Sequence, residues 1–208
     1  MLSAEHRNGM ASVKDGIETR ERLLRAAVHL YSAKGFAGAS VQDVVRRAGV
    51  TKGAFYHHFE SKAHLIMAIH NSFVDLQIGD ITAIVEQGLA PTKTLAEAIL
   101  VIFRNMINHK ASVSLFMREY PPMPKDVDRA VRARRLEYEQ LLIGVIDRGR
   151  KSGVFHTELP TNVLLYGILG MCAWATQWYD PKRAPAPEVI GRNYARMVID
   201  GLTTPTTA

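Results

Sequence analysis

Apolar residues recur at helical spacing along almost the whole chain, and the breaks between them are short. Leu23, Ala27, Leu30 and Tyr31 follow the i, i+3, i+4, i+7 spacing of one helix face behind a capping Thr19, and Gly35 supplies a left-handed stop. Ser40-Val-Gln-Asp43 has the form of a capping box and predicts a short helix with Val41, Val44 and Val45, ending at Ala48-Gly49. Thr51 caps the next helix, Lys52 to His58. Ser61 then opens a longer one with Leu65, Ile69, Phe73 and Leu76 on one face.

The same grammar continues beyond a break at Gly88 to Thr92. Thr94-Leu-Ala-Glu97 has the form of a second capping box, and the apolar run to Ile107 is rich enough for a buried helix. Pro121, Pro122 and Pro124 stop the segment Ser112 to Tyr120, since proline lacks an amide donor and disfavours helix in the residue before it. Val127, Val131, Tyr138, Leu142 and Val145 mark a long amphipathic helix that closes near Gly149 to Gly153. One further helix runs from Thr161 to Tyr179, before Pro181, and a last from Glu188 to Gly201 carries Ile190, Tyr194, Met197 and Val198. Strand-like alternation and internal repeats are missing, so the expected fold class is all-α, with about nine helices.

Composition sharpens this only in places. With 208 residues, 47% of them hydrophobic and 22% charged, the chain has the material of an ordinary globular core, which excludes bulk disorder and coiled-coil rods. A single cysteine, Cys172, excludes an internal disulfide and a Cys-rich zinc site and suits a reducing compartment. No apolar run reaches the roughly 18–20 residues of a membrane span, and residues 1–16 read as a polar, flexible arm without a signal-peptide core. A cytoplasmic protein without membrane partners is the expectation. The formal charge is +6, and residues 1–63 hold ten Lys and Arg against six Asp and Glu. Such an excess suits an N-terminal module that meets nucleic acid.

Residues 40–58 combine two short helices with the three-residue joint Ala48-Gly49-Val50, which is what a helix-turn-helix requires. Val44, Val45, Ala48, Val50 and Phe55 can lock the pair. The second helix then turns Thr51, Lys52, Ala54, Tyr56 and His57 outward, and its N-terminal part enters the major groove. Lys52 and Lys62 are point charges suited to phosphate, and Tyr56 carries a hydroxyl donor. The helix that begins at Ser61 offers free amides. Thr51, Ala54 and His57 are placed for base edges, Ala54 through a thymine methyl, and Gly53 allows close approach of the backbone. Ser40, Gln42 and Arg46 are further backbone candidates, while Phe55 and Phe59 read as core. Adjacent His57 and His58 point about 100 degrees apart, poor geometry for a shared metal. Phosphate-binding loops, nucleophile elbows and dinucleotide fingerprints are lacking, so neither a catalytic residue, a metal nor a cofactor is assigned.

The stretch from Thr19 to Leu65, with Ala27, Leu30, Gly35, Phe36, Ser40, Gly49-Val50-Thr51-Lys52-Gly53, Phe55-Tyr56-His57-His58-Phe59 and Ser61-Lys62, resembles the DNA-binding domain of the TetR family of transcriptional regulators. That resemblance implies a helix-turn-helix domain over 17–63, contacts to DNA from the positions just named, and an effector-binding and dimerisation domain over 64–208. It also implies a homodimer on a palindromic double-stranded operator, built on the last two helices. Gly153-Val-Phe, Gly170-Met-Cys-Ala-Trp174, Gln177-Trp178-Tyr179-Asp-Pro181 and Gly201-Leu202 are similar to the C-terminal region of members that control fatty-acid and sterol-ring catabolism, which commonly respond to acyl-CoA thioesters.

For such a ligand the chain offers an apolar and aromatic stock: Phe103, Met106, Phe116, Tyr120, Tyr138, Leu142, Tyr166, Trp174 and Trp178. The same stock also suits a bundle core or a dimer seam. Arg132, Arg134, Arg135, Arg148, Arg150 and Lys151 offer cations for phosphates, or equally a solvated helix face paired with Asp126, Asp128 and Glu139. The expected function is therefore a repressor released from its operator by a small apolar or acyl-CoA-type effector. The alternative is a ligand-independent regulator whose C-terminal domain only dimerises.

Overall fold

Nine α-helices and no strand make up the described residues of the computed structural model, 3–118 and 123–203, with side chains described from Asp15 onward apart from those of 117 and 118. In chain order they are α1 (Ser3–Gly38), α2 (Val41–Ala48), α3 (Lys52–His58), α4 (Lys62–Glu86), α5 (Pro91–Asn108), α6 (Lys110–Arg118), α7 (Lys125–Lys151), α8 (Thr161–Trp178) and α9 (Pro187–Thr203).

Most boundaries sit on the residues whose chemistry demands them. The Ser40 hydroxyl accepts from the Asp43 amide at 3.1 Å while the Asp43 carboxylate accepts from the Ser40 amide at 3.0 Å, so the capping box of α2 is complete. Thr51 accepts from the Ala54 amide at 3.1 Å and starts α3, and Ser61 accepts from the His64 amide at 3.3 Å before α4. Gly35, at φ 72° and ψ 165°, interrupts helical geometry inside α1.

Two boundaries differ from the sequence pattern. The backbone of α1 continues back to Ser3, through the segment read as a polar arm. α5 begins at Pro91 rather than Thr94, and Ala90 at its cap makes no side-chain bond. Proline at the first helical position has the right φ and no amide to leave unpaired. Thr94 is thereby drawn inside the helix, where its hydroxyl donates back to the carbonyls of Leu89 at 3.0 Å and Ala90 at 3.1 Å. The second capping box is therefore not formed.

The chain divides into two compact units, Met1–His70 with Leu115–Ala130, and Asn71–Ser114 with Val131–Ala208; α4, α6 and α7 contribute residues to both. In the first unit, α1 packs on α2 and α3 around Leu23, Ala27, Tyr31, Val44, Val45, Phe55, Leu65 and Ile66. In the second, α5 packs against α9 and α8 around Ile99, Ile102, Phe103, Val145, Ile146 and Cys172. Gly191 makes the α5–α9 approach possible: a Cβ there would stand 3.3 Å from the Leu100 Cα.

Gly49 closes α2 in the left-handed region at φ 65°. Its amide donates to the Arg46 carbonyl at 3.3 Å and the Val50 amide to that of Val45 at 3.1 Å, the two bonds of a Schellman motif. A Cβ at this position would lie 2.8 Å from the Arg22 guanidinium. Gly49→Ala is expected to cost about 1–3 kcal/mol in a denaturant unfolding experiment. Gly79→Ala, in the middle of α4 where a Cβ meets nothing within 4 Å, is expected instead to gain up to about 1 kcal/mol.

Candidate nucleic-acid interface

α2, the turn and α3 present a buried side and an exposed side. Val44, Val45, Ala48, Phe55 and Phe59 are buried and Val50 is half-buried, which fixes the angle of the helix pair. On the other side, Gln42, Thr51, Lys52, Gly53, Tyr56 and His57 are exposed and Ala54 is half-buried. Tyr56 keeps half its surface in solvent, a large exposure for an aromatic ring, and the Lys52 ammonium lies 5.9 Å from its centroid. A Cβ on Gly53 would meet only the Thr51 hydroxyl, at an ordinary 3.8 Å. The packing of the fold does not need glycine there.

Two of the candidate residues are already engaged. The Ser40 hydroxyl and amide both donate to Asp43, at 2.6 and 3.0 Å, and these bonds hold the Asp43 carboxyl below the usual carboxylate range, helped by Arg46 at 2.5 Å. Ser40 thus acts as a cap, with its donors given away. Lys62 donates its ammonium to the Phe36 carbonyl and stands 4.1 Å from the Phe36 centroid and 5.5 Å from that of Tyr31. Burial lowers its pKa. The ammonium satisfies a carbonyl past the kink of α1, a role that sequence spacing did not suggest.

The pattern along the chain also missed Arg22. Its guanidinium donates to the Ala48 carbonyl at 2.5 Å and the Gly49 carbonyl at 3.0 Å, so α1 holds the turn through its orphan acceptors. Nearby, Arg20 lies over the Phe59 ring at 5.6 Å.

The residues offered for an effector separate into groups. Phe103, Met106, Tyr138 and Leu142 are buried together in the core of the second unit, with Phe103 edge-on to Tyr194 at 5.2 Å. Tyr166, Trp174 and Trp178 instead lie exposed on α8, Trp174 with 64% of its surface free. Phe116 belongs to the first unit, against His70 at 5.0 Å, and Tyr120 lies outside the described residues.

From that second core a hydrogen-bonded chain runs out to half-buried Asp80. The Asn105 amide donates to Gln77 at 2.7 Å and to Asp80 at 2.8 Å, and the Gln77 amide donates to the Tyr138 hydroxyl at 3.4 Å. Burial pushes the Tyr138 hydroxyl pKa up, and it pushes the Cys172 thiol up to about 12, so that cysteine is inert. Three of the arginines considered for phosphates are committed elsewhere. Arg134 pairs with Asp75 and Glu137, Arg135 pairs with Glu139 at 2.8 Å, and Arg150 donates to the Leu159 carbonyl at 2.9 Å.

A short capped helix, held by a glycine turn and exposing a lysine, a tyrosine and a histidine, defines a DNA-binding helix-turn-helix protein. Comparison with known proteins gives the family. Residues 23–69 match the model of bacterial regulatory proteins of the tetR family, and residues 88–202 match the tetracyclin repressor-like C-terminal domain. The chain belongs to the TetR family of transcriptional regulators, and it is a regulator rather than an enzyme. It is 28% identical over 189 residues to the HTH-type transcriptional repressor KstR2 of Rhodococcus jostii, covering 89% of this chain and 92% of that one. Among solved structures, the ketosteroid regulator KstR2 of Mycobacterium tuberculosis shares its fold with a TM-score of 0.75 at 22% identity, over 89% of this chain and 95% of that one. FadR of Bacillus subtilis, solved with stearoyl-CoA, does so with a TM-score of 0.73 at 16% identity, over 88% of this chain and 98% of that one.

Lys62→Ala is expected to destabilise the protein by about 1–2 kcal/mol in thermal unfolding, because a carbonyl bond and two ring contacts are lost together. An unchanged midpoint would show that these contacts do not hold the fold. His58 is half-buried, and burial, His57 and Arg20 lower its pKa below the ordinary 6.5. Below 6.5 the unfolded chain therefore takes up a proton that folded His58 resists, and stability falls with the pH. Unfolding midpoints on either side of that value should show a smaller fall in His58→Gln.

Proposed function

We propose that this chain is a homodimeric repressor that an acyl-CoA-type effector releases from a palindromic operator. The observation that carries the effector assignment is the chain Asp80–Asn105–Gln77–Tyr138, which runs out from an apolar core. Polar groups set in an apolar core match the mixed character of a thioester with its acyl chain. The stearoyl-CoA bound to FadR supports the same class, and similarity to the repressor KstR2 supports repression.

Dimerisation is supported by the exposed side of the last two helices. Val163, Tyr166, Trp174 and Trp178 recur along α8, and Gly167 and Gly170 between them leave open space for close approach. α9 adds Val189 and Met197. A stripe of this kind asks to be covered, and a two-fold dimer covers it with itself.

Lys52 and Tyr56 then hold phosphates, and Thr51, Ala54 and His57 meet base edges, with Gly53 admitting the backbone and Gln42 reaching the flank. The effector acts by preferring a conformer whose two reading helices are misplaced for successive grooves, with a coupling of about 1–3 kcal/mol. α4, which contributes to both units, is the element that carries the change.

Fluorescence anisotropy on DNA from upstream of the chain's own gene, with and without acyl-CoA thioesters and free acids, tests this reading. Loss of binding with a thioester alone is expected, and binding undisturbed by every thioester would overturn the effector class. His57→Ala should cost about 1–3 kcal/mol on the operator and relax one base position. Light scattering should give a dimer for the wild type and a monomer for Trp174→Arg.

A further inference from the structure

Between α1 and α2 lies an open hollow of about 380 Å³ lined by Arg22, Arg25, Ala26, His29, Arg47 and Ala48. Three arginines line it. Among the described residues one carboxylate pairs with them: Glu21, 3.1 Å from Arg25, in a pair of which both members are largely exposed. Arg22 rests on the neutral carbonyls of Ala48 and Gly49 and keeps its whole charge. Arg47 is exposed and forms no ion pair among the described residues, whereas its neighbour Arg46 is tied to Asp43. Crowding like charges around a concavity is unfavourable unless an anion enters it, and the planar forks of arginine fit phosphate oxygens two at a time.

The location narrows the anion. Arg22 joins the hollow to the turn, and from Gly49 to Lys52, the first residue of α3, the chain spans at most about 10 Å. A helix lying in a major groove about 12 Å wide is bordered by backbone phosphates within that reach. We propose that the hollow is a second phosphate site, taking backbone phosphates of the strand that borders the groove read by α3. It rests on the DNA-binding reading of α3 and adds a contact surface from α1 and the back of α2. Its contribution is independent of sequence, so it strengthens binding to any duplex and leaves base preference to α3.

The test is the salt dependence of binding to a random-sequence duplex, measured for wild type, Lys52→Ala and the double variant Arg25→Gln/Arg47→Gln. Both substituted side chains are exposed, and an unchanged unfolding midpoint checks the fold. The double variant is expected to lose about one unit of the log–log salt slope for each phosphate contact removed. Its preference for operator over random duplex should persist. A double variant with the slope and affinity of the wild type, beside a weakened Lys52→Ala, would overturn the phosphate site while keeping the α3 reading. Charge-dependent capture of polyglutamate with DNA binding unchanged would overturn it in favour of an acidic protein partner. Wild type that bound no duplex would remove the DNA-binding reading itself.

Discussion

The carbonyls at the end of α2 are the point on which the first unit turns. A helix end leaves acceptors without partners, and here the chain must reverse within three residues before α3 begins, so they cannot be satisfied by continuing the helix. Arg22 reaches across from α1 to Ala48 and Gly49, and the amides of Gly49 and Val50 close the same end from within. The reading helix is short, seven residues, too short to be stable alone. Its direction is inherited from this turn and from the burial of Phe55 beneath it.

Signals confined to a few residues were legible. Ser40 with Asp43, Gly49, Thr51 and Ser61 each act within three residues of themselves, and their bonds stand where the chemistry of the types places them. Thr94 shows the limit: its spacing to Glu97 was right, yet Pro91 three residues earlier is the stronger helix start, and Thr94 was drawn inside. Arg22 and Lys62 show a different limit. Each finds its carbonyl twenty-six residues away, a partner no local pattern encodes.

The second unit was less legible because aromatic residues serve a core, a pocket and a seam with equal ease. Tyr138 and Trp174 looked alike as candidates. Packing put the first on Gln77 in the interior and the second in the open. The arginines of α7 were ambiguous for the same reason, until Asp75 and Glu139 were seen to hold Arg134 and Arg135.

The two tryptophans of the chain, Trp174 and Trp178, both lie on the exposed side of α8. The indole emission of the protein therefore has a single origin. It is insensitive to events inside the first unit except as these reach α8, and it responds directly to whatever excludes water from that surface. The molecule carries its own optical label at the place where a second copy would sit.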